Sequence, residues 1–233
     1  TWVMKTDPSC GWELTTPKST WRNWPEIARV CHTLLRAGSR TSRSCGLHVH
    51  HEIGNYSGAE LRKLWYLWYT FEPTLFAMLA PSRRNNSYCE QLRSWPSAYF
   101  EIYDYDTNEY RHLGSAATVL DMDDTGFADL IRNGDRYQSL NLTNWWNNGR
   151  VEIRAHHGTL RAADIQFWVK LTQRFLSLPQ RMSIAEVRAL HLNNPVAEQA
   201  RELSALLTRT GEWDWSTRIH DIITRRNAAL LAA

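Results

Sequence analysis

Two short stretches of this 233-residue chain carry side chains that could do chemistry together: Cys45-Gly-Leu-His-Val-His-His51 and Val151-Glu-Ile-Arg-Ala155. Both alternate apolar and polar residues, the pattern of a strand with one buried face. Strand side chains point alternately to opposite faces. His48, His50 and Glu52 therefore share one side, while Leu47 and Val49 take the other. In the second run Glu152 and Arg154 share a side, opposed by Val151, Ile153 and Ala155. Two rigid strands would then present imidazoles, carboxylates and a guanidinium from one sheet surface. Such a surface suits a metal ion beside an anion, for example a metal-bound polyphosphate.

The rest of the chain supplies elements to hold those strands. Trp2–Asp7 and Trp12–Thr15 read as short strands joined by the turn-like Pro8-Ser-Cys-Gly11. Trp24 to Ala37 reads as a helix with Ile27, Val30, Cys31, Leu34 and Leu35 on one stripe and Gly38 just beyond its end. The His-rich strand spans Arg43 to Ile53. Ser57 caps a long helix from Gly58 to about Leu79, which Pro73 is expected to kink or split. Pro81 to Trp95 reads as a polar connector, and Ala98 to Asp135 as irregular. Strands follow at Arg136–Leu142 and Arg150–His156, with Asn148-Gly149 as a hairpin signal. Arg161–Leu178 reads as a helix, and shorter helices cover 183–190, 195–208 and 216–232. Strands and helices mix without regular alternation, so the class is α+β.

Composition sets the outer limits. With 43% hydrophobic residues the chain can bury a real core, and one domain is expected. The net charge of +3 gives no case for nucleic acid. Of 27 basic residues only Lys5, Lys18, Lys63 and Lys170 are lysines, and arginine's planar fork suits phosphate or carboxylate, although base bias in the gene explains the enrichment equally well. Cys10, Cys31, Cys45 and Cys89 include no CxxC pair, which argues against a zinc site and for a reducing, cytoplasmic setting. No apolar run reaches the roughly 20 residues that span a bilayer. Trp65, Trp68 and Trp168 fall on apolar helix faces and belong in the core.

Taken in order, five stretches resemble the amidoligases, relatives of glutamine synthetase and of glutamate–cysteine ligase. They are Asp7-Pro-Ser-Cys-Gly-Trp-Glu-Leu-Thr-Thr-Pro17, Cys45-Gly-Leu-His-Val-His50, Pro81-Ser-Arg-Arg-Asn-Asn-Ser-Tyr-Cys89, Arg136-Tyr-Gln-Ser-Leu-Asn-Leu142 and Val151-Glu-Ile-Arg-Ala-His-His-Gly-Thr-Leu160. The resemblance implies a glutamine-synthetase-like catalytic domain over residues 1–180, with 181–233 a helical extension of it. It implies a curved antiparallel sheet holding ATP and Mg²⁺ or Mn²⁺ on its concave face. The implied reaction joins a small-molecule or peptide carboxylate to an amine, without nucleic acid or membrane. On this basis Glu13, His48 and Glu152 are expected to ligate metal and Arg154 to contact phosphate. Arg136, Arg83 and Arg84 are candidates for nucleotide or substrate carboxylate, and Asp7 is a weaker carboxylate candidate. The family's first strand carries paired glutamates, which are expected in a segment before Thr1, the alternatives being a degenerate member or a strand donated by another chain.

Plainer readings compete. Glu152 and Arg154 could be a surface pair worth only ~0.2–1 kcal/mol. His48 and His50 with a carboxylate could activate water in a metallohydrolase. A non-catalytic domain could bind a partner through its Trp-rich surface.

Overall fold

Asp7 closes the first turn. Its carboxylate accepts from the Ser9 amide at 2.7 Å, and Gly11 takes a left-handed φ of 82°, which favours glycine. Strands β1 (Val3–Asp7) and β2 (Gly11–Thr15) pair antiparallel around it. In the computed structural model, residues 1–94, 101–104, 109–112, 115–208 and 214–227 are described. Helix α1 (Trp24–Arg36) starts with Pro25 in its first turn and buries Ile27 and Cys31. Strand β3 (Gly46–Glu52) leads to the long helix α2 (Gly58–Ala77).

A reciprocal capping box starts α2, with the Ser57 hydroxyl and Glu60 carboxylate each bonding the other's backbone amide, the arrangement expected of Ser-x-x-Glu. Pro73 neither splits nor ends this helix. A proline lacks the N–H that would bond the carbonyl four residues back. That carbonyl, on Tyr69, instead accepts from Arg93 Nε at 2.6 Å. The same guanidinium donates to Thr70 O at 3.1 Å. The helix continues because a side chain from the connector replaces the missing donor.

Strands β4 (Glu101–Asp104) and β5 (Glu109–His112) form a hairpin. The stretch expected to be irregular then contains a 3₁₀ turn, Ala116–Asp121, and helix α3 (Asp124–Arg132). Asp123 caps that helix by accepting from the Gly126 amide at 2.7 Å, and Phe127, Leu130 and Ile131 bury its apolar stripe. A cap followed by that spacing is a helix signal that the surrounding acidic and turn residues obscured. Expectations for 95–100, 105–108, 113–114 and 228–232 lie outside the described residues.

The strand expected over 136–142 shortens to β6 (Leu140–Asn141). Asn148-Gly149 is not a two-residue turn. Instead, Trp145–Asn148 forms the single-turn helix α4, and Gly149 ends it at φ 65°. A Cβ on Gly149 would lie 2.8 Å from the Gly54 Cα, so close backbone approach also requires glycine there. Strand β7 (Arg150–His157) follows, then α5 (Ala162–Leu176), α6 (Leu178–Arg181), α7 (Ile184–Arg188), α8 (Val196–Thr208) and α9 (Trp215–Asn227).

The class is α+β. Among the described residues the strands pair as three antiparallel sheets: β1–β2, β4–β5 and a three-stranded sheet ordered β3-β7-β6. The last has one face against the core. Val49, Val151, Ile153 and Ala155 join Trp65, Trp68 and Phe71 of α2 and Trp168, Leu171 and Phe175 of α5 in one apolar cluster. Leu203, Leu207, Trp215, Ile219 and Ile223 bring α8 and α9 into the same cluster. No described helix is long and apolar enough to cross a membrane.

One buried acid ties these layers together. Glu72 is fully buried. It accepts from the amides of Leu92 and Arg93 at 2.9 Å each and from the Ser139 hydroxyl at 2.5 Å. Trp68 Nε1 donates to that hydroxyl at 2.9 Å. Burial outweighs these bonds and pushes the Glu72 carboxyl up to about 7. Two histidines, half-buried His51 and buried His156, shift the opposite way. His51, bonded to Thr172 at 2.8 Å, is pushed down to about 4 by burial and then by the nearby His50. His156 is pushed down to about 3 by burial and then by His157.

Glu72→Ala should cost about 2–4 kcal/mol in urea unfolding, because two buried amides and a hydroxyl lose their acceptor. The pH dependence follows by linkage. A histidine depressed in the folded state gives stability that is present above its unfolded value of 6.5 and lost as pH falls through the folded value. Glu72 gives the reverse, favouring the fold as pH falls from about 7 to 4.5. His156→Gln should therefore flatten the acid limb of a Tm–pH curve, and Glu72→Gln should steepen it.

Candidate functional site

Pairing between β3 and β7 sets His50 opposite Glu152 and Val49 opposite Ile153, but Leu47 opposite His156. Arg154 and Ala155 together face the single residue His48. This is a β-bulge, which leaves backbone groups unpaired and re-aims side chains. On the other edge of β7, Asn141 stands opposite Glu152. His50, Glu152 and Asn141 thus form one row across three strands, with His48 and Arg154 on the same face.

Glu152 is the hub of this face. Its Oε1 lies 2.5 Å from Arg154 Nη1, 3.3 Å from His48 Nδ1 and 3.8 Å from His50 Nε2. Its Oε2 accepts from Asn141 Nδ2 at 2.9 Å. The Glu152 and Arg154 side chains are only 13% and 12% exposed, against 58% for His50, so this pair is screened far less than a surface pair. Arg154 also donates through Nε to Tyr88 O at 3.1 Å and lies over the Tyr137 ring, 5.3 Å from its centroid. Arg136 covers the same ring at 4.8 Å and donates to its hydroxyl at 2.8 Å. Tyr88 meets Tyr137 edge-on at 5.5 Å. Tyr137 thereby brings two guanidiniums to one border of the face.

His48 is pushed down to about 4, first by burial and second by the Arg154 charge, with Glu152 opposing less strongly. The ring is neutral at neutral pH and keeps one lone pair, the form that binds a cation. A Cβ on Gly46 would lie 2.9 Å from His48 Nε2, so glycine leaves space beside that nitrogen.

The other expected site residues fall in different places. Arg83 is 1% exposed. Its Nε and Nη2 donate to the carbonyls of Ala155 and Arg154 at 3.1 and 2.8 Å. These carbonyls belong to the bulge, where strand pairing is interrupted. Arg83 therefore supports the site from behind, through the backbone beneath Arg154. Arg84 is half-buried, with Nη2 shielded and without a hydrogen-bond partner among the described residues, and no described contact links it to Glu152 or Arg154. Glu13 pairs across its hairpin with Lys5 at 3.2 Å. Its charge reaches His48 and raises that ring's basicity slightly, yet it makes no ion pair with the cluster. Asp7 belongs to the first turn, where Ser9 holds its carboxyl below the ordinary range. Asn141, Tyr137 and Tyr88 were not singled out from the sequence. Of these only Asn141 had a usable signal, its register opposite Glu152.

A divalent cation fits the donors in kind, since a carboxylate oxygen and two imidazole nitrogens approach one another. Among the described residues no group of three His, Cys, Asp or Glu side chains forms a metal cage. The Arg154 guanidinium holds the oxygen that a cation would need.

Fold and face together define an α+β protein with a half-buried carboxylate–guanidinium pair flanked by histidines on a sheet surface. A family model described as "Putative amidoligase enzyme" matches residues 3–176, and the chain belongs to that family. No curated protein and no solved structure matches the chain.

Arg83→Met should cost about 2–4 kcal/mol, because two buried carbonyls lose their donors. Amides of residues 154–157 should exchange faster with solvent deuterium than those of α2. Unchanged protection would show that the bulge holds without Arg83.

Proposed function

We propose that the chain is an ATP- and divalent-cation-dependent ligase that joins a carboxylate to an amine through an acyl phosphate. Family membership supports ligase chemistry, and the Glu152–Arg154 pair is the observation that carries the rest. A guanidinium held 88% from solvent beside a carboxylate is a preorganised anion clamp whose present partner a phosphate can replace.

Carboxylates resist amines at neutral pH because oxide is a poor leaving group. In the proposed reaction a substrate carboxylate oxygen attacks the γ-phosphorus of ATP and ADP leaves. The amine nitrogen then attacks the acyl carbon, loses a proton, and phosphate departs. Such phosphoryl transfer depends on positioning and charge neutralisation. Arg154 takes a phosphoryl oxygen in this reading, with its plane fixed by Tyr137 and Tyr88 O. Arg136, on the same ring but exposed, takes the substrate carboxylate. Glu152 and His48 are the residues that would hold Mg²⁺ or Mn²⁺, and the cation would neutralise the phosphoryl oxygens. Asn141 keeps Glu152 oriented by its second oxygen. Four free cysteines suit a reducing compartment such as the cytoplasm.

ADP release should require ATP, Mg²⁺ or Mn²⁺ and a carboxylate, and an amide should accumulate when an amine is added. Arg154→Lys should lower kcat by about 10³-fold or more while Tm moves by only a few degrees. Turnover within threefold of wild type in that variant would remove Arg154 from the reaction.

A further inference from the structure

Beyond the bulge, β7 contributes to a cavity apart from the Glu152 face. It encloses about 330 Å³, enough for a small organic molecule rather than a bare ion. Met78, Leu79, Phe167, Trp168 and Ile222 make an apolar wall. His157, Arg161, Arg225 and Arg226 line the cavity as well, with Asp164 the one acid among the described lining residues. Asp164 already pairs with Arg161 Nε at 3.6 Å. Arg225 and Arg226 have no carboxylate within ion-pair distance among the described residues. The Asn227 side chain donates to Ala77 O, and this bond fixes the end of α9, with its two arginines, over Met78 and Leu79.

His157 gives the cavity its specific chemistry. Its Nδ1 faces the Ala80 amide at 3.4 Å, and its Nε2 faces Arg226 Nη2 at 3.2 Å. Both neighbours are obligate donors. A neutral imidazole has one lone pair and a protonated one has none. One donor must therefore point at another N–H, whichever tautomer forms. An oxyanion between His157 and Arg226 removes the conflict. The ring then accepts from Ala80 through Nδ1, while Nε2–H and the guanidinium both donate to the same anion.

We infer that this cavity binds a small organic oxyanion, a phosphate or carboxylate carried on an apolar body. The anion sits between His157, Arg226 and Arg225, and the apolar body lies against Phe167 and Trp168. None of the residues on the Glu152 face lines the cavity. The α9 wall also lies beyond the stretch that matches the family model, residues 3–176. The site therefore joins residues inside the matched stretch, His157 and Arg161 among them, to the α9 arginines outside it, and it does not rest on the proposed reaction.

Calorimetric titration of the full chain with phenyl phosphate, phenylacetate and benzyl alcohol tests it. One or both anions should bind at 1:1 stoichiometry while the alcohol does not, and the tighter anion identifies the headgroup. The exposed double variant Arg225→Ala/Arg226→Ala should weaken binding about tenfold or more, the loss of charge-assisted bonds. Arg161→Ala should weaken it less, and Glu152→Gln should leave it within about twofold. Wild-type affinity in the double variant, or equal binding of the alcohol, overturns the inference. A loss in Glu152→Gln matching that in the double variant places the anion on the other face and overturns it too. Failure here leaves ATP-dependent ADP release unaffected, so the two readings are separable.

Discussion

One extra residue in β7 governs where the chemistry-bearing side chains point. Had the register through His50 and Glu152 run on without interruption, Leu47 would oppose Ala155 and Gly46 would oppose His156. The bulge at Arg154 and Ala155 instead sets Leu47 against His156 and Gly46 against His157. Up to the first residue of the bulge, Glu152 and Arg154 stand on the face with His48 and Asn141. After it, His156 turns to the apolar side and packs against Trp168, ring centroids 5.0 Å apart. A single strand thus serves two environments, and Arg83, buried behind the bulge, satisfies the carbonyls that the interruption frees.

Support for the bulge reaches back to the long helix. Glu72 holds the Leu92 and Arg93 amides, and Arg93 in turn serves the Tyr69 carbonyl released by Pro73. The connector that carries Arg83 and Tyr88 is thereby pinned to α2. Ser139, bonded to Glu72, also receives the Arg154 amide through its carbonyl at 2.9 Å. A buried, fully hydrogen-bonded acid of this kind rigidifies its surroundings. Its cost in desolvation shows in the raised pKa of Glu72, and its return is a fixed backbone beneath Arg154.

Local pattern made much of this legible. Alternation placed His48, His50, Glu152 and Arg154 on common faces, and capping and apolar spacing located α1, α2 and α5. What stayed hidden depended on contacts between distant segments. Arg83 looked like an anion ligand because a charged connector is usually solvated, and nothing local showed two carbonyls waiting for it. Pro73 looked like a helix break because its rescuer, Arg93, is twenty residues away. Arg136 was expected on a strand but sits in a turn over Tyr137, with strand β6 reduced to Leu140–Asn141. The conflict at His157 involves α9, which no motif joined to β7. Bulges leave no mark in a period-two pattern, so the change of face after Ala155 could not be read either.

The central claim is that the His48–Glu152–Arg154 face receives a nucleotide and its cation. Pulsed electron paramagnetic resonance of Mn²⁺ bound with ATP, using protein labelled with ¹⁵N-histidine, addresses it most directly. Glu152 and His48 as ligands predict an imidazole ¹⁵N coupling in the wild-type chain that disappears in His48→Gln and persists in His157→Gln. A spectrum without histidine coupling, or one indifferent to His48, would contradict the account.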